Sequence, residues 1–213
     1  MTKNSSTYYT QHRKEMIPAL PKHYTTVLEI GCGEGRFRAN LDLPHEYWGL
    51  EPVRRAAEVA GEKLDRVLIG TYTEQMDALP DHYFDLIICN DVIEHMTDHD
   101  FFFETIKAKL KKGGTLVASI PNVRHILNLY ELLVKKDWEY KDAGILDRTH
   151  FRFFTRKSLL VILARHQYEV EYLKGINGYV GDSFLKRLIA FVIISIMGHD
   201  TRFLQFAIRV LPK

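Results

Sequence analysis

Two short segments of the sequence bring acidic side chains and histidines together. The segment "NDVIEHM" contains Asp91, Glu94 and His95, and the segment "DRTHFRFF" contains His150 among charged and aromatic residues. If the first segment turns helical, its three side chains share one face, because residues three and four positions apart are neighbours on a helix. Carboxylates with imidazoles can move protons or hold divalent ions. The alternatives are a Glu94 that caps a helix and a His95 that stacks on a bound nucleoside.

A glycine-rich segment, "EIGCGEGRF", predicts where a ligand binds. Gly31, Gly33 and Gly35 allow the backbone to turn tightly and approach a ligand, and amides at a helix start favour negative groups. Glu51 ends a second strand-like run about 20 residues further on, where a carboxylate can accept hydrogen bonds from ribose hydroxyls. Arg36 stands where the dinucleotide fingerprint has its last glycine. The pattern therefore predicts a nucleoside-bearing cofactor, with an NAD-binding oxidoreductase as a distant alternative.

Short apolar runs alternate with helix-length segments along the chain. This alternation predicts right-handed βαβ crossovers and a parallel sheet covered by helices on both faces. The last two strands are expected to pair antiparallel at one edge, which gives an α/β fold with a doubly wound, mostly parallel, seven-stranded sheet. The predicted strands are 25–31, 47–52, 66–70, 83–90, 114–121, 168–176 and 202–211, and the predicted helices are 36–41 (a helix start), 53–64, 99–111, 123–135 and 156–166.

Composition and charge indicate an ordinary soluble globular protein. Of the 213 residues, 46% are hydrophobic and 26% charged, with a net charge of +2 and no strong basic stripe, so no nucleic-acid partner is expected. Cys32 and Cys89 stand in apolar, strand-like surroundings, which predicts reduced thiols in a cytoplasmic protein. The opening "MTKNSSTYYTQHRKE" lacks the apolar core of a signal peptide.

Two further segments raise specific expectations. The run "LIAFVIISIM" at 188–197 is about half the roughly 20 residues of a membrane span, so it predicts a buried helix or strand. A peripheral membrane contact is the alternative, favoured by the preceding Lys186 and Arg187. The region 136–155 has little periodicity and reads as a long loop, and loops of that length in compact domains are often functional.

The ordered motifs "VLEIGCGEGRF", "GLEPV", "FDLIICNDVIEHM" and "LKKGGTLVASIPN" strongly resemble those of class I S-adenosylmethionine (SAM)-dependent methyltransferases. The resemblance spans 8–209, nearly the whole chain. It implies a single Rossmann-like methyltransferase domain over 1–213, with 1–7 as a flexible tail and 136–155 as an acceptor-side loop. SAM is the implied cofactor.

The resemblance also implies which residues surround SAM. The methionine part would be enclosed by Glu29, Gly31, Cys32 and Gly33, and the ribose would bind Glu51. Tyr8, Tyr9 and Arg13 match a "YY…R" lead-in that closes over the cofactor in related enzymes, although a surface salt bridge is an equal alternative for Arg13. The family usually has an acid near the adenine after the third strand, where this chain has "IGTYTEQMD". Adenine would then contact Tyr72 and backbone amides, or Asp77, and the cofactor set is completed by Pro52 and Asn90.

The segment around His150 resembles the one that supplies a metal-binding histidine in small-RNA 3′-terminal 2′-O-methyltransferases. Those enzymes carry an E-x-x-E-H motif, as do ubiquinone-pathway O-methyltransferases, whereas this chain has Asp91 at the first position. The resemblance implies that His150 faces the acceptor beside His95, as a general base or as one ligand of a hydroxyl-activating ion. The possible metal set is Asp91, Glu94, His95 and His150, with Mg²⁺ or Mn²⁺. The structural alternative is that His150 bonds a backbone carbonyl in an ordered loop.

The combination of the segments "SIPN" and "LDRTHFRFFT" is most similar to that of bacterial O-methyltransferases associated with polysaccharide and O-antigen biosynthesis. The implied reaction is methylation of a sugar hydroxyl, with Asn122, Arg148 and Arg152 as acceptor contacts and His125 on a helix surface. A small aromatic or quinone hydroxyl is an alternative acceptor. The later half of the chain also resembles MetW-like proteins, which are partners of a biosynthetic acyltransferase. Those proteins lack the acid–acid–histidine group, so an enzyme is favoured.

Overall fold

The computed structural model of the protein describes residues 12–42 and 46–213. Seven strands form one sheet in these residues, and each of the seven predicted strands is present. The strands are β1 Thr26–Ile30, β2 Glu46–Glu51, β3 Arg66–Ile69, β4 Phe84–Asn90, β5 Leu110–Pro121, β6 Tyr168–Gly178 and β7 Phe203–Pro212. The tail expected at 1–7 lies outside the described residues.

The strand order is β3-β2-β1-β4-β5-β7-β6. Strands β1 to β5 pair in parallel, and β7 runs antiparallel to both β5 and β6. The expectation of a mostly parallel sheet with an antiparallel edge is therefore confirmed, and the sheet as a whole is mixed. Successive residues of β1 show why both faces are covered: Val27 and Leu28 are both fully buried, in different core clusters.

Helices cover both faces of this sheet. The described α-helices are α1 Arg54–Gly61, α2 Tyr72–Gln75, α3 His99–Thr105, α4 Ile126–Tyr130, α5 Arg156–Arg165 and α6 Phe184–Met197. Phe102 of α3 and Leu159 of α5 belong to one core cluster, while Ala60 of α1 belongs to the other. The helix start predicted at 36–41 is a 3-10 turn, Arg36–Asn40, and the helix predicted at 123–135 consists of α4 followed by the π-helical turn Glu131–Lys135.

The carboxyl ends of the parallel strands form one rim of the sheet. Strands β1, β4 and β5 end there, and β7 begins there because Gln205 of β7 pairs with Pro121 of β5. Strand β6 is antiparallel to β7, so it ends at the same rim, where α6 follows it. Ligands of open α/β sheets bind outside this edge.

Most described side chains of the apolar run at 188–197 are not buried, contrary to the preferred prediction. It lies in α6, where Ala190 is buried but several large apolar side chains face water. The helix packs against α4 and the turn before β7 rather than against the sheet core, which leaves its outer side uncovered. In the described part of the chain, no helix combines the length and apolar character needed to cross a bilayer.

Candidate active site and cofactor cavity

A cavity of about 1260 Å³ opens at the carboxyl rim of the sheet. The glycine loop and the end of β2 line one part of it. Glu94, His95 and the loop 142–150 line another. The cavity therefore joins the two groups of residues that the sequence singled out, since both sit where parallel strands end.

The glycine loop adopts a backbone shape that only glycine accepts easily. Gly31, Gly33 and Gly35 all have positive φ angles, of 71°, 53° and 72°. A Cβ added at Gly31 would lie 2.5 Å from Cγ2 of Val92, because the loop passes directly against the segment that follows β4. We call the part of the cavity lined by the glycine loop the cofactor part, and the part lined by Glu94, His95 and the loop 142–150 the acceptor part. The glycine loop therefore packs against the segment that leads into the acceptor part.

Glu51 is held by backbone amides at the cavity wall. The Gly33 N–H donates to its Oε2 at 2.9 Å and the Val53 N–H donates to its Oε1 at 2.9 Å. Burial raises the pKa of this carboxyl, while the two amide hydrogen bonds oppose that shift. Each oxygen keeps a lone pair for a further donor, such as a ribose hydroxyl.

Glu29 is buried beneath the same wall. The Tyr47 hydroxyl donates to Glu29 Oε2 at 2.8 Å. Burial raises the pKa of Glu29 to about 8, against the opposing effect of the tyrosine hydrogen bond. Its neighbours in the predicted cofactor set, Cys32 and Asn90, line the cavity as well.

Only some of the predicted adenine contacts line the cavity. Pro52 and Tyr72 line the cavity, whereas Asp77 does not. The Tyr72 hydroxyl lies 3.0 Å from the Thr105 hydroxyl, and its ring meets Phe102 edge-on, so only part of the ring borders the cavity. Tyr8 and Tyr9 of the predicted lead-in lie outside the described residues.

Arg13 reaches into the cavity and pairs with Asp91. The Asp91 carboxylate accepts hydrogen bonds from Arg13, from the Ser119 hydroxyl at 2.8 Å and from the Gln205 amide at 2.7 Å. Asp91 has a left-handed backbone conformation with φ of 55°, so the segment after β4 does not begin as an α-helix. The three side chains expected on one helical face are therefore divided: Asp91 joins Arg13, while Glu94 and His95 lie in the 3-10 turn Ile93–His95.

Glu94 is a fully buried carboxyl without a hydrogen-bond partner among the described residues. Its Oε1 is 3.9 Å from His150 Nε2. Burial, with repulsion from Asp91 as the second cause, raises the pKa of Glu94 well above its ordinary value. A buried carboxylate needs a hydrogen-bond donor or a cation. Glu94 is therefore expected to be protonated, or to bind a ligand that supplies a donor or a cation.

The hydrogen bonds of the two histidines fix which nitrogen faces the cavity. His150 Nδ1 lies 2.9 Å from the Ile145 carbonyl oxygen, and His95 Nδ1 lies 3.1 Å from the Thr149 carbonyl oxygen. A carbonyl only accepts, so each neutral ring carries its proton on Nδ1 and keeps a lone pair on Nε2. The carbonyl bond expected as the structural alternative for His150 is thus present, and Nε2 is not used in it.

Glu94, His95 and His150 form one compact group. Each offers one ligand atom, and these atoms lie within 4.8 Å of one another. The two rings meet edge-on with their centroids 4.6 Å apart. Burial, and repulsion from His150 as the second cause, lowers the pKa of His95, so its imidazole stays neutral at lower pH than usual. The structure does not bring Asp91 into this group.

The loop that carries His150 is pinned to Glu94 by the backbone. The amides of Phe151 and Arg152 both donate to the Glu94 carbonyl oxygen, at 2.9 and 3.1 Å. Asp147, which the sequence analysis missed, accepts from the Thr149 hydroxyl at 2.6 Å, and that hydroxyl lies 3.0 Å from His95 Nδ1. The spacing of Asp and Thr in "DRT", typical of a side-chain-stabilised turn, was the available signal. Ser119 and Gln205 were also missed, because only tertiary packing brings them to Asp91.

The predicted acceptor contacts differ in position. Arg148 lines the cavity and pairs with Asp142 at 2.9 Å. Arg152 donates to the Thr97 carbonyl oxygen at 2.7 Å and does not line the cavity. Asn122 is fully buried and donates to the carbonyl oxygens of Asp200 and Phe203, so the acceptor contact expected of it is wrong. It anchors the turn into β7 instead.

His125 is buried rather than on a helix surface, contrary to expectation. It precedes α4, and its ring meets Tyr179 edge-on. Burial lowers the pKa of His125 to about 4.

Comparison with known proteins gives this geometry a context. The model of a family described as a methyltransferase domain matches residues 2–173. An uncharacterized protein of Methanocaldococcus jannaschii, MJ1123, is 30% identical over 138 residues, covering 62% of this chain and 64% of its own. A ubiquinone biosynthesis O-methyltransferase of Rhodopseudomonas palustris is 34% identical over 104 residues, covering 45% of this chain and 39% of its own. The chain thus spans less than two thirds of the length of these relatives.

Solved structures share the fold over almost the whole chain. A SAM-dependent methyltransferase of Thermotoga maritima, described as a possible histamine N-methyltransferase, has a TM-score of 0.64 at 22% identity and covers 97% of this chain and 89% of its own. A SAM-dependent methyltransferase of Archaeoglobus fulgidus has a TM-score of 0.64 at 19% identity and covers 96% of this chain and 93% of its own. At these identities the likeness establishes the fold.

Proposed function

Because this chain belongs to the methyltransferase domain family, we propose that it transfers a methyl group to a hydroxyl oxygen of a small acceptor. SAM is its methyl donor. One observation carries the proposal: a single cavity connects the glycine loop and Glu51 to two imidazoles, His95 and His150, each with an Nε2 lone pair. A hydroxyl nucleophile needs a base, whereas an amine with a free lone pair does not.

The proposed reaction follows from these positions. The Glu51 carboxylate would accept hydrogen bonds from the ribose of SAM, and the glycine loop would hold its methionine part. His150 Nε2 accepts the proton of the acceptor hydroxyl as the oxygen attacks the methyl carbon. The carbon–sulfur bond breaks, and its electron pair stays on sulfur to give S-adenosylhomocysteine. The pKa of His95 is lowered, so its imidazole remains neutral beside His150.

A divalent ion is the second way in which this group could activate a hydroxyl. Glu94, His95 and His150 fit such an ion, since a buried carboxyl without a hydrogen-bond partner among the described residues lies beside one nitrogen of each imidazole. These three residues would hold Mg²⁺ or Mn²⁺, which would lower the pKa of a bound hydroxyl. Asp91 is excluded from the set by its bonds to Arg13, Ser119 and Gln205.

The acceptor class is proposed on different grounds. The sequence resemblance favours a sugar hydroxyl, and the ubiquinone-pathway relative favours a phenolic hydroxyl. Arg148 lines the cavity and could bind an anionic group on either kind of acceptor. A regulatory, MetW-like role is the other candidate, and it predicts SAM binding without turnover.

Methyl transfer from isotopically labelled SAM tests the proposal. Wild-type protein is incubated with sugar nucleotides, oligosaccharides, catechols and hydroquinones, and SAM binding is measured by calorimetry. We expect label in at least one hydroxyl acceptor, lost in His150→Ala while SAM still binds. Tight SAM binding without transfer to any acceptor would overturn the enzymatic proposal.

The same preparation separates the base from the metal. Wild type and Glu94→Gln are assayed after treatment with a chelator and after addition of Mn²⁺. Activity that survives the chelator supports His150 as the base. Activity that requires Mn²⁺, together with Mn²⁺-dependent thermal stabilisation absent from Glu94→Gln, supports the ion instead.

A further inference from the structure

Two neighbouring helices at the carboxyl rim expose an unusual amount of apolar surface. Phe184, Phe191 and Ile196 of α6 are 82%, 68% and 79% exposed. The segment 126–135, which contacts α6, exposes further large apolar side chains, among them Leu133 and Val134. We call this surface the rim patch, and it comprises Leu127, Tyr130, Leu132, Leu133, Val134, Phe184, Leu188, Phe191, Val192 and Ile196. A patch of this kind marks an interaction site.

Basic side chains border the rim patch. Among the described side chains of helix α6, Arg187 is the one charged group. The segment 126–135 ends in Lys135, which pairs with Glu131 at 3.0 Å, and the exposed residues Lys136 and Asp137 follow it. Apolar side chains bordered by cations complement an anionic surface with an apolar interior.

A basic groove continues from the rim patch. This groove, of about 870 Å³, has an apolar floor that includes Leu173 and Phe206, and it is lined by Arg124, Arg156, Lys157, Lys174 and His199. Arg124 connects the two features, because it donates to the Met197 carbonyl oxygen at the end of α6 and pairs with Asp200 at 3.1 Å. Lys157 and Arg156 begin α5, so they stand at the mouth of the groove nearest the rim.

We propose that the rim patch and the basic groove bind the surface of an anionic lipid bilayer. Helix α6 has 14 residues and is too short to span a bilayer, so it would lie in the interface with Phe184, Phe191 and Ile196 among the acyl chains. The cations of the groove would contact lipid phosphates. Strand topology places the patch at the same rim as the cofactor cavity, so docking would bring the cavity entrance close to the membrane. The proposal does not depend on which reaction the cavity performs.

Vesicle co-sedimentation tests the proposal directly. Full-length protein is mixed with phosphatidylcholine vesicles, with and without phosphatidylglycerol, at low and high salt. We expect binding to the anionic vesicles that weakens as salt rises, because screening reduces the electrostatic attraction. Wild-type protein that stays in the supernatant with every vesicle would overturn the proposal.

Matched variants localise the contact. Phe191→Ser with Ile196→Ser should weaken binding about tenfold or more, since both side chains are exposed and lose their insertion into the bilayer. Phe101→Ser, at an exposed phenylalanine on α3, should bind as wild type does. Lys136→Gln with Lys157→Gln should also weaken binding, by about 25-fold, since each lysine near an anionic surface contributes about fivefold.

A readout of assembly and folding completes the experiment. Thermal stabilisation by SAM should be the same in all variants, which separates lost membrane binding from lost structure. If the variant with two serines fails to fold, the variant with two glutamines still tests the proposal, because its changes lie on exposed residues. Wild type that sediments as a dimer, and serine variants that sediment as monomers, would assign the rim patch to a second copy and overturn the proposal.

Discussion

The cofactor part and the acceptor part of the cavity are built in different ways. Around the glycine loop, the geometry comes from backbone conformation: three glycines with positive φ and two amides that bind Glu51. Around His150, the geometry comes from a loop packed on a turn, with the amides of Phe151 and Arg152 pinned to the Glu94 carbonyl oxygen. The first part depends mainly on the conformation of its glycines, and the second depends mainly on hydrogen bonds between two loop segments.

The electrostatics of the two parts differ as well. Glu51 is buried but its oxygens are satisfied by amides, whereas Glu94 is buried with neither oxygen satisfied by a described residue. A polar group left unpaired in a protein interior costs stability. The acceptor part thus retains an unpaired carboxyl where chemistry is proposed, whereas the two carboxyls of the cofactor part, Glu29 and Glu51, both accept hydrogen bonds.

Replacing His150 should give the largest effect on activity. His150→Gln removes the proposed base and should lower kcat about 10²- to 10⁴-fold, while SAM binding changes little, because Glu51 and the glycine loop are untouched. His23→Gln, at an exposed histidine, is the matched control and should retain full activity. An unchanged kcat in His150→Gln would remove this residue from the mechanism.

Replacing Gly31 should cause the largest loss of stability. Gly31→Ala places a Cβ 2.5 Å from Val92 Cγ2 in a left-handed conformation, so we expect a loss of about 2–4 kcal/mol and much weaker SAM binding. Gly113→Ala has a similar φ of 79° with open space around the added atom, and it should lose only about 1–2 kcal/mol. Urea titrations measure both. Equal losses would show that the contact with Val92 has no effect.

Replacing Glu94 should stabilise the protein. The folded-state pKa is raised, so the carboxyl contributes its full stability below its ordinary pKa near 4.5, and that contribution is lost as pH rises. Glu94→Gln cannot ionise, and in the presence of a chelator it should gain about 1–3 kcal/mol over wild type at pH 8, with a smaller gain at pH 4.5. Glu58→Gln, at an exposed site, should show no such gain. A Glu94→Gln variant less stable than wild type at pH 8 would show that the carboxyl has a partner.

Replacing His125 should have the smallest effect, which is a change in how the stability of the protein depends on pH. Its folded-state pKa is lowered to about 4, below the ordinary value near 6.5, so it contributes stability above pH 6.5 that is lost as pH falls towards 4. His125→Phe should keep the contact with Tyr179 and reduce the slope of stability against pH in this range by about 1 kcal/mol per pH unit. Thermal unfolding of both proteins at several pH values measures the difference, and identical slopes would contradict the burial of this ring.

Sequence reasoning predicted the fold well because it depends on local patterns. Seven strands, the antiparallel edge and the glycine loop with Glu51 all follow from apolar runs, spacing and glycine positions. Helix 123–135 was less well predicted, because it begins only at Ile126 and ends in a π-helical turn, and apolar spacing does not distinguish this turn from an α-helix. The exposure of α6 was not predictable either, since an apolar run does not reveal whether another element covers it.

The acceptor part was predicted only in outline. Glu94, His95 and His150 do come together, but Asp91 turns away to Arg13 because its backbone is left-handed, which the assumption of a helix could not anticipate. Asn122 was misplaced because its position at the end of β5 says nothing of its side-chain partners in the turn before β7. Tertiary contacts decide both cases.

A crystal structure with S-adenosylhomocysteine tests the central claim most directly. We predict that the ribose hydroxyls bind the Glu51 carboxylate and that the sulfur points towards His150, leaving room for one acceptor oxygen roughly 3 Å from Nε2. A sulfur that points away from Glu94, His95 and His150, or a ribose that does not contact Glu51, would contradict the account.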